Sequence, residues 1–123
     1  MSDIRVLVVD DEEDMRALVR ATIELADGGV TVEEAESGES AIAKWRQARP
    51  EVIVLDHRMP GFNGLETAER ILAEHPEQAV VLFTAFLDRR VQARARALGI
   101  RCLSKNDLRR LPSLLEGVDT ARD

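Results

Sequence analysis

The stretch VIVLDHRMPGFNG, from Val52 to Gly64, decides how the rest of the chain is interpreted. Four apolar residues, three of them β-branched, lead directly into Asp56 and then into a loop that contains Pro60 and Gly61. A short, continuous apolar run bounded by turn residues is typical of a strand buried on both faces. Asp56 would then lie where such a strand reaches the surface. Taken alone, this residue is equally consistent with a carboxylate that caps a loop.

The composition of the chain describes one folded, acidic domain. Its 123 residues are enough for a single hydrophobic core, and 45% apolar with 33% charged residues is typical of a folded protein. No apolar run approaches the ~20 residues of a membrane-spanning helix. The first residues, MSDIRVLVVDD, are acidic where a secretion signal is basic, and the single Cys102 is compatible with a reducing compartment. These features favour a cytoplasmic protein.

Strand-like and helix-like segments alternate five times along the chain. Strands are expected at residues 4–9, 30–35, 52–55, 79–83 and 100–103, each followed by a segment with helical spacing of apolar residues. The last helix is expected at about 111–118, after a loose turn near Asp107. This alternation predicts an α/β fold, a five-stranded parallel sheet with helices on both faces. A flavodoxin-like strand order suits five strands better than the other common order, although the pattern does not determine it.

Local signals indicate where several helices begin and end. Ser37 is a candidate N-cap of the second helix, and Asn63 followed by Glu66 is a candidate capping pair for the third. Gly28 and Gly29 are expected to end the first helix. The domain is expected to cover residues 1–118, with a frayed tail at 119–123. The buried face of the first helix is expected to consist of Met15, Leu18, Val19, Thr22, Ile23 and Ala26.

Polar residues stand at the carboxyl ends of four predicted strands: Asp10 and Asp11, Asp56, Thr84, and Lys105. Because parallel sheets bind ligands beyond the carboxyl ends of their strands, these side chains are expected on one rim. Clustered carboxylates repel one another and need a cation, and all-oxygen ligation suits Mg²⁺. A lysine and a hydroxyl opposite them suit a phosphoryl group. With no Ser-His-Asp set and no glycine-rich phosphate loop, the expected nucleophile is a carboxylate, which would become an acyl phosphate.

The same motifs resemble the receiver domain of the two-component response regulators. LVVDDEEDMR, at 7–16, is similar to that family's acidic pair after the first strand, and VIVLDHRMPGFNGLE, at 52–66, to its phospho-acceptor region. VVLFTA, at 80–85, and LSK, at 103–105, are similar to its Thr/Ser and Lys segments. The resemblance covers essentially the whole chain. It implies a phospho-accepting signalling switch with strand order 2-1-3-4-5, in which Asp56 takes a phosphoryl group from a sensor histidine kinase or a phosphotransfer protein.

The resemblance also implies a metal site and a set of partners. Asp10, Asp11 and Asp56 would hold Mg²⁺ together with the backbone carbonyl of Arg58. The switch would act on a downstream protein or a second copy through its fourth helix, fifth strand and fifth helix. It would catalyse only its own phosphorylation and dephosphorylation. Direct nucleic-acid binding and membrane binding by this domain are not expected.

The phosphoryl group itself would be held by two residues. The resemblance implies that Thr84 hydrogen-bonds the phosphoryl oxygens as the signal and that Lys105 binds them directly.

Two positions depart from the family pattern. The family usually has an aromatic residue three positions before the lysine, where this chain has Cys102. It usually has a proline after the lysine, where this chain has Asn106. We expect a neighbouring phenylalanine, Phe83 or Phe86, to fill the space at Cys102, and a looser loop after Lys105.

Two large residues are expected to control dephosphorylation. Arg58 lies two residues after Asp56, and Phe86 lies two residues after Thr84. Both positions border the approach of a hydrolytic water, and neither side chain would orient that water. We therefore expect a long-lived phosphoryl state, unless both side chains point into solvent.

Other function classes remain open at this stage. A phosphorylation-independent interaction module that retains the receiver fold is favoured by the missing aromatic at Cys102. A free-standing phosphatase with an aspartyl nucleophile is disfavoured, because such enzymes usually have a second acid at the position of Arg58.

The charge of the chain is unevenly distributed. Residues 1–85 carry 8 basic and 18 acidic side chains, a net −10, whereas residues 86–123 carry 9 and 5, a net +4. No nucleic-acid recognition motif accompanies the basic region. It is interpreted as a solvated helix face or as a docking face for an acidic partner or a second copy. The fourth helix owes its basic character to Arg89, Arg90, Arg94 and Arg96.

Overall fold

A single five-stranded parallel sheet organises the molecule. The computed structural model describes residues 4–122. The strands are β1 (Arg5–Val9), β2 (Thr31–Ala35), β3 (Val52–Leu55), β4 (Ala79–Thr84) and β5 (Arg101–Ser104). Their order is β2-β1-β3-β4-β5, and every neighbouring pair is parallel. The predicted α/β fold and the 2-1-3-4-5 order are confirmed, with each strand end within one residue of its expected place.

Five α-helices and one 3₁₀ helix connect and cover the strands. The α-helices are α1 (Glu13–Ala26), α2 (Gly38–Ala48), α3 (Gly64–Glu74), α4 (Arg89–Ala97) and α5 (Leu111–Arg122), and the 3₁₀ helix is Lys105–Arg110. None of the helices in residues 4–122 combines the length and the apolarity needed to cross a bilayer.

The sheet separates two apolar clusters. Alternate residues of β1 point to opposite faces, as the strand period requires, so Leu7 and Val9 join one cluster and Val6 and Val8 the other. The first cluster packs α2, α3 and α4 against the sheet around the fully buried Trp45. The second packs α1 and α5 on the opposite face. The doubly covered strand β3 is buried at every position, as its sequence predicted.

Side-chain and backbone caps define several of the helix ends. Ser37 caps α2, and Asn63 and Glu66 form the reciprocal capping box that begins α3, so both predictions are confirmed. At the end of α4, Gly99 has φ 76°, its amide bonds to the carbonyl of Arg96, and the next amide bonds to the carbonyl of Ala95. This pattern is a Schellman motif, and it returns the chain directly into β5.

Two predictions about α1 are wrong. Leu18, expected in the core, is 49% exposed, and Ala26 is also exposed. The buried seam of α1 is narrow because the helix packs on β1, β2 and α5 mainly through Val19 and Ile23. The helix does end before Gly28, but not through a left-handed glycine, since Asp27 ends it in an extended conformation.

The segment that follows Lys105 differs from the expected loose turn. Residues 105–110 form a 3₁₀ helix, in which only Asp107 departs from helical angles, with φ −107° and ψ 33°. The Ser104 side chain caps it by accepting a hydrogen bond from the Asn106 amide at 3.1 Å. The connection is thus a capped 3₁₀ segment with a kink at Asp107, where the turn was expected, and the effect of Asn106 on its looseness stays a prediction. The final helix runs on to Arg122, and of the expected frayed tail only position 123 lies outside the described residues.

Candidate functional site

Three carboxylates converge where β1 and β3 end. Asp10 and Asp56 are 3% and 6% exposed, whereas Asp11 is exposed. One oxygen of each carboxylate lies within 4.8 Å of the others. The two strands are direct neighbours, and the amide of Asp56 donates to the carbonyl of Val9 at 2.9 Å. The parallel register therefore brings Asp10 beside Asp56, although the two residues are 46 positions apart in sequence.

Lys105 follows the end of β5, and its ammonium group contacts both buried carboxylates. Its Nζ lies 2.8 Å from Asp10 Oδ2 and 3.4 Å from Asp56 Oδ2, and its side chain is 11% exposed. Burial on its own would lower the pKa of Lys105. The hydrogen bond to Asp10 and the negative charges of Asp56 and Asp10 outweigh burial and raise the pKa of the lysine. Lys105 is thus a permanent cation facing the cluster.

Asp56 is held as a poorly hydrated carboxylate. Its Oδ1 accepts a hydrogen bond from the His57 amide at 2.8 Å. Burial raises the pKa of Asp56 above its usual range, the charge of Lys105 opposes this, and the charge of Asp10 adds to it. Asp10 is fixed more completely, because its Oδ1 also accepts the Glu12 amide at 2.9 Å. Of the three carboxylates, Asp11 alone faces open solvent.

The hydroxyl predicted at the end of β4 lies directly before Ala85 and Phe86, which line the cleft in front of Asp56 and Lys105. Thr84 is fully buried, and its Oγ1 accepts a hydrogen bond from the Phe86 amide at 3.2 Å. This bond leaves the hydroxyl proton available to an acceptor in the cleft. Register pairs Thr84 with Ser104, the residue before Lys105.

Arg58 and Phe86 meet at the entrance of the cleft. The guanidinium carbon of Arg58 lies 3.7 Å from the centroid of the Phe86 ring, and the ring is 51% exposed. Both line the cleft that contains Asp56 and Lys105. The two side chains therefore stack on one another beside the acidic cluster, and their role in dephosphorylation stays a prediction.

Cys102 lies on β5, on the face of the sheet that α2, α3 and α4 cover. It is partly buried against the cluster formed by α2, α3 and α4, and burial raises the pKa of its thiol. Phe83 cannot fill the space beside it, because Phe83 belongs to the apolar cluster on the opposite face of the sheet. That part of the prediction is wrong, and the reason is the alternation of side chains along β4. The other candidate, Phe86, stacks on Arg58.

Sequence reasoning missed several residues that shape the cleft. Met15 and Asn106 line it, the amides of Glu12 and His57 bind the carboxylates, and Arg16 donates to the carbonyl of Asp10 at 2.7 Å. Arg16 carries a sequence signal, because it lies three positions before Val19 and seven before Ile23. This spacing places it on the buried face of α1. The amide donors carry none, since a backbone N–H looks the same at every residue.

The comparisons with known proteins agree with this geometry. The family model described as the response regulator receiver domain matches residues 6–116, and the chain belongs to that family. Response regulator GacA of Pseudomonas viridiflava is 41% identical over 81 residues, which cover 66% of this chain and 38% of that protein. The matched region thus spans well under half the length of this relative.

Two solved structures extend the likeness to nearly the whole chain. Chemotaxis protein CheY4 of Vibrio cholerae has a TM-score of 0.82 and 30% identity, and covers 95% of this chain and 99% of that one. Response regulator TrrA of Thermotoga maritima, in complex with Mg²⁺-BeF, has a TM-score of 0.81 and 30% identity over 94% and 98% of the two chains.

The donor set of the acidic cluster fits a hard divalent cation. Among the described residues, Asp10, Asp11 and Asp56 are the one group of acidic, His or Cys side chains close enough to share an ion. All three supply oxygen, which Mg²⁺ prefers, and two are too buried to be hydrated fully. The cluster can therefore bind a metal ion at the exposed side of the cleft.

Proposed function

We propose that this receiver domain, residues 1–118, is a phosphorylation-controlled switch in which Asp56 accepts a phosphoryl group in the presence of Mg²⁺. The donor would be the phosphohistidine of a histidine kinase or of a phosphotransfer protein in the cytoplasm. The observation that carries the proposal is the convergence of three carboxylates, with oxygens within 4.8 Å of one another, on a buried lysine at the end of the sheet.

Asp56 is the best placed acceptor of the three carboxylates. It ends a strand buried on both faces, and its Oδ2 lies 3.4 Å from Lys105. An Asp56 oxygen would attack phosphorus, an O–P bond would form, and the P–N bond of the donor would break with its electron pair returning to the imidazole. Asp10 is less suitable, because Lys105 holds it more closely, with Nζ 2.8 Å from Asp10 Oδ2 against 3.4 Å from Asp56 Oδ2.

Asp10, Asp11, Asp56 and the backbone carbonyl of Arg58 are the proposed metal ligands. Bound Mg²⁺ would supply positive charge against the phosphoryl oxygens. The ammonium group of Lys105 would exchange its contact with Asp56 for one with a phosphoryl oxygen, which adds a second cation at the new anion.

Thr84 would report the phosphoryl group to the rest of the fold. Its buried hydroxyl now accepts from the Phe86 amide and has a proton to donate. Donation to a phosphoryl oxygen would draw the end of β4 towards Asp56 and move the segment that leads into α4. With Cys102 in place of an aromatic residue, this movement would have to leave through the backbone of β4 and α4.

The output surface would be formed by α4, β5 and α5. Its charge favours an acidic downstream protein, or the acidic side of a second copy, over a nucleic acid. Among the side chains that the structure describes, Arg94 is the one α4 arginine that reaches an acidic residue of another helix, with Nη2 3.3 Å from Glu69 Oε1 on α3. The exposed arginines of α4 and β5 are Arg89, Arg90, Arg94, Arg96 and Arg101.

The test is phosphorylation of the purified domain by acetyl phosphate, followed by intact-mass analysis with and without Mg²⁺. We expect the mass to increase by one HPO₃ unit only with Mg²⁺, and hydroxylamine to remove the adduct. Asp56→Asn should abolish it. The matched control is Asp107→Asn, an exposed aspartate in the 3₁₀ helix, which should be labelled as the native chain is.

The other outcomes of this experiment separate the competing functions. A folded protein without any adduct would indicate a phosphorylation-independent interaction module. Continuous release of phosphate would indicate a phosphatase. An adduct that survives Asp56→Asn would place the chemistry on another carboxylate.

A further inference from the structure

Arg16 is an almost buried arginine that contacts the backbone of the acidic site. It lies in the first turns of α1, and its side chain is 13% exposed. Its Nη1 donates to the carbonyl oxygen of Asp10 at 2.7 Å, and its Nε donates to Glu34 Oε1 on β2 at 3.0 Å. One guanidinium thus connects the edge strand β2 with the peptide that joins Asp10 to Asp11.

The backbone of Asp10 is held on both of its sides, at the amide that precedes its Cα and at the carbonyl that follows it. The amide of Asp10 donates to the carbonyl of Ala35 on β2 at 3.1 Å, while Arg16 holds the carbonyl of Asp10. Because a peptide unit is planar, fixing this carbonyl also fixes the direction in which the chain enters Asp11. Asp11 is exposed and has no fold-defining packing of its own, so the orientation of the preceding peptide decides where its carboxylate points.

Glu34 orients Arg16 and is itself shared with a second arginine. Arg20 Nε donates to Glu34 Oε2 at 2.8 Å. Hydrogen bonds from Arg20 and then Arg16 hold the pKa of Glu34 below its usual range, so this carboxylate is an anion at neutral pH. Both arginines tie α1 to β2, but Arg16 also reaches the carbonyl of Asp10. Arg20 can therefore stabilise only the packing of α1 on β2, whereas Arg16 can also act on the site.

We propose that Arg16 is a positioning residue for the metal and acceptor site, which it serves by holding the Asp10–Asp11 peptide so that both carboxylates face Asp56. The inference rests on the proposed Mg²⁺-dependent function. Residues that orient metal ligands from outside typically change metal affinity by about 10–100-fold. We expect Arg16→Gln to weaken Mg²⁺ binding by roughly tenfold, at the low end of that range, because Asp56 is positioned independently by β3.

The experiment is a calorimetric titration of Mg²⁺ into the native chain, Arg16→Gln, Arg16→Lys and Arg20→Gln. Arg20→Gln is the matched control, because it removes a hydrogen bond to Glu34 and leaves Asp10 untouched. It should bind Mg²⁺ as the native chain does. Arg16→Lys keeps the charge and one donor, so it should recover part of the affinity lost in Arg16→Gln.

Two further measurements separate positioning from a loss of stability. Urea unfolding without metal should show that Arg16→Gln and Arg20→Gln lose similar stability, although only the first loses Mg²⁺ affinity. The amide resonances of Asp11 and Glu12 in the metal-free protein should move in Arg16→Gln and stay in place in Arg20→Gln. These readouts do not depend on phosphorylation.

The failure of this inference is distinguishable from the failure of the proposed function. Equal Mg²⁺ affinities in Arg16→Gln and Arg20→Gln, with a native chain that binds Mg²⁺ and is phosphorylated, would overturn the positioning role alone. A native chain that binds no Mg²⁺ would overturn both.

Discussion

At the scale of single residues, the site is a balance of three anions and one buried cation. Lys105 compensates Asp10 and Asp56, the two carboxylates that water cannot reach freely. Asp11 is hydrated and needs no such partner. The metal-free fold therefore depends on Lys105 in a way that a chain with bound Mg²⁺ would not.

Substitution of Lys105 by a neutral residue should show how far the stability of the metal-free fold depends on its charge. Lys105→Met leaves two buried carboxylates without a counter-charge, and we expect a loss of about 3–5 kcal/mol of unfolding free energy in the absence of metal. Saturating Mg²⁺ should restore more stability to this variant than to the native chain, because it replaces the lost charge. Urea unfolding with and without Mg²⁺ measures both effects. As a control, Arg110→Met removes an exposed pair with Asp107, at 4.0 Å, and should cost no more than about 1 kcal/mol.

The Arg58–Phe86 stack leads to a kinetic prediction. The pair borders the cleft in front of Asp56, so it can exclude the water that would hydrolyse an acyl phosphate. We expect Phe86→Ala and Arg58→Asn each to speed dephosphorylation roughly tenfold, which corresponds to about 1.4 kcal/mol in the barrier. Because the two side chains stack, the double variant should gain less than the product of the two single effects. The measurement is the first-order decay of the purified phosphoprotein in Mg²⁺, and unchanged decay in both single variants would remove the shielding role.

At the scale of secondary-structure elements, the junction between β3 and α3 fixes the position of the proposed acceptor, Asp56. Gly64 begins α3 where the helix passes the backbone that follows Asp56. A Cβ at this position would lie 2.3 Å from the carbonyl oxygen of Asp56 and 2.8 Å from Cα of His57. Only glycine allows the two segments to approach this closely, so the helix start and the acceptor strand form one rigid unit.

Substitution of this glycine should damage fold and site together. Gly64→Ala must push backbone against backbone, and we expect a loss of roughly 1–3 kcal/mol of stability together with slower phosphorylation of Asp56. Gly28→Ala is the control, because a Cβ there meets nothing within 4 Å, and it should be neutral or slightly stabilising. Thermal unfolding and acetyl phosphate labelling measure the two effects. A Gly64→Ala chain with native stability and native labelling would contradict this account of the junction.

At the scale of the whole molecule, the site and the basic surface lie on the same part of the sheet. β4 ends in Thr84 and leads directly into α4, while β5 ends beside Lys105 and leads into the 3₁₀ helix and α5. We therefore expect a movement at either strand end to reach the surface that carries the exposed arginines of α4 and β5.

Phosphorylation should therefore perturb one side of the domain selectively. With Mg²⁺ and beryllofluoride as a phosphoryl mimic, we expect amide shifts at residues 87–94 and 100–103 as well as around Asp56. The β2 residues 31–35, at the opposite edge of the sheet, should shift least. Two-dimensional amide NMR measures this, with Asp56→Asn as the control that should not respond. Shifts restricted to the cleft would contradict the switch and favour a passive interaction module.

The sequence pattern predicted the α/β class and the residues of the rim, whereas the strand order 2-1-3-4-5 came only from the resemblance to the family. The apolar run before Asp56 is typical of a doubly covered strand, and five alternations of strand and helix imply a parallel sheet. Parallel strands present their carboxyl ends at one edge, so the convergence of Asp10, Asp56 and Lys105 follows from topology without any coordinates. Caps such as Ser37 and Asn63 were also predictable, because a capping bond joins residues three positions apart.

Tertiary structure decided every feature that depends on which surfaces meet. The exposure of Leu18 follows from the narrow seam between α1 and its neighbours, which helical spacing does not specify. The contact of Arg16 with the carbonyl of Asp10, and the stack of Arg58 on Phe86, join segments whose distance is set by packing. Local sequence determines period, caps and strand ends, because those depend on neighbouring residues. The partners of a side chain across the fold depend on the packing of the whole chain.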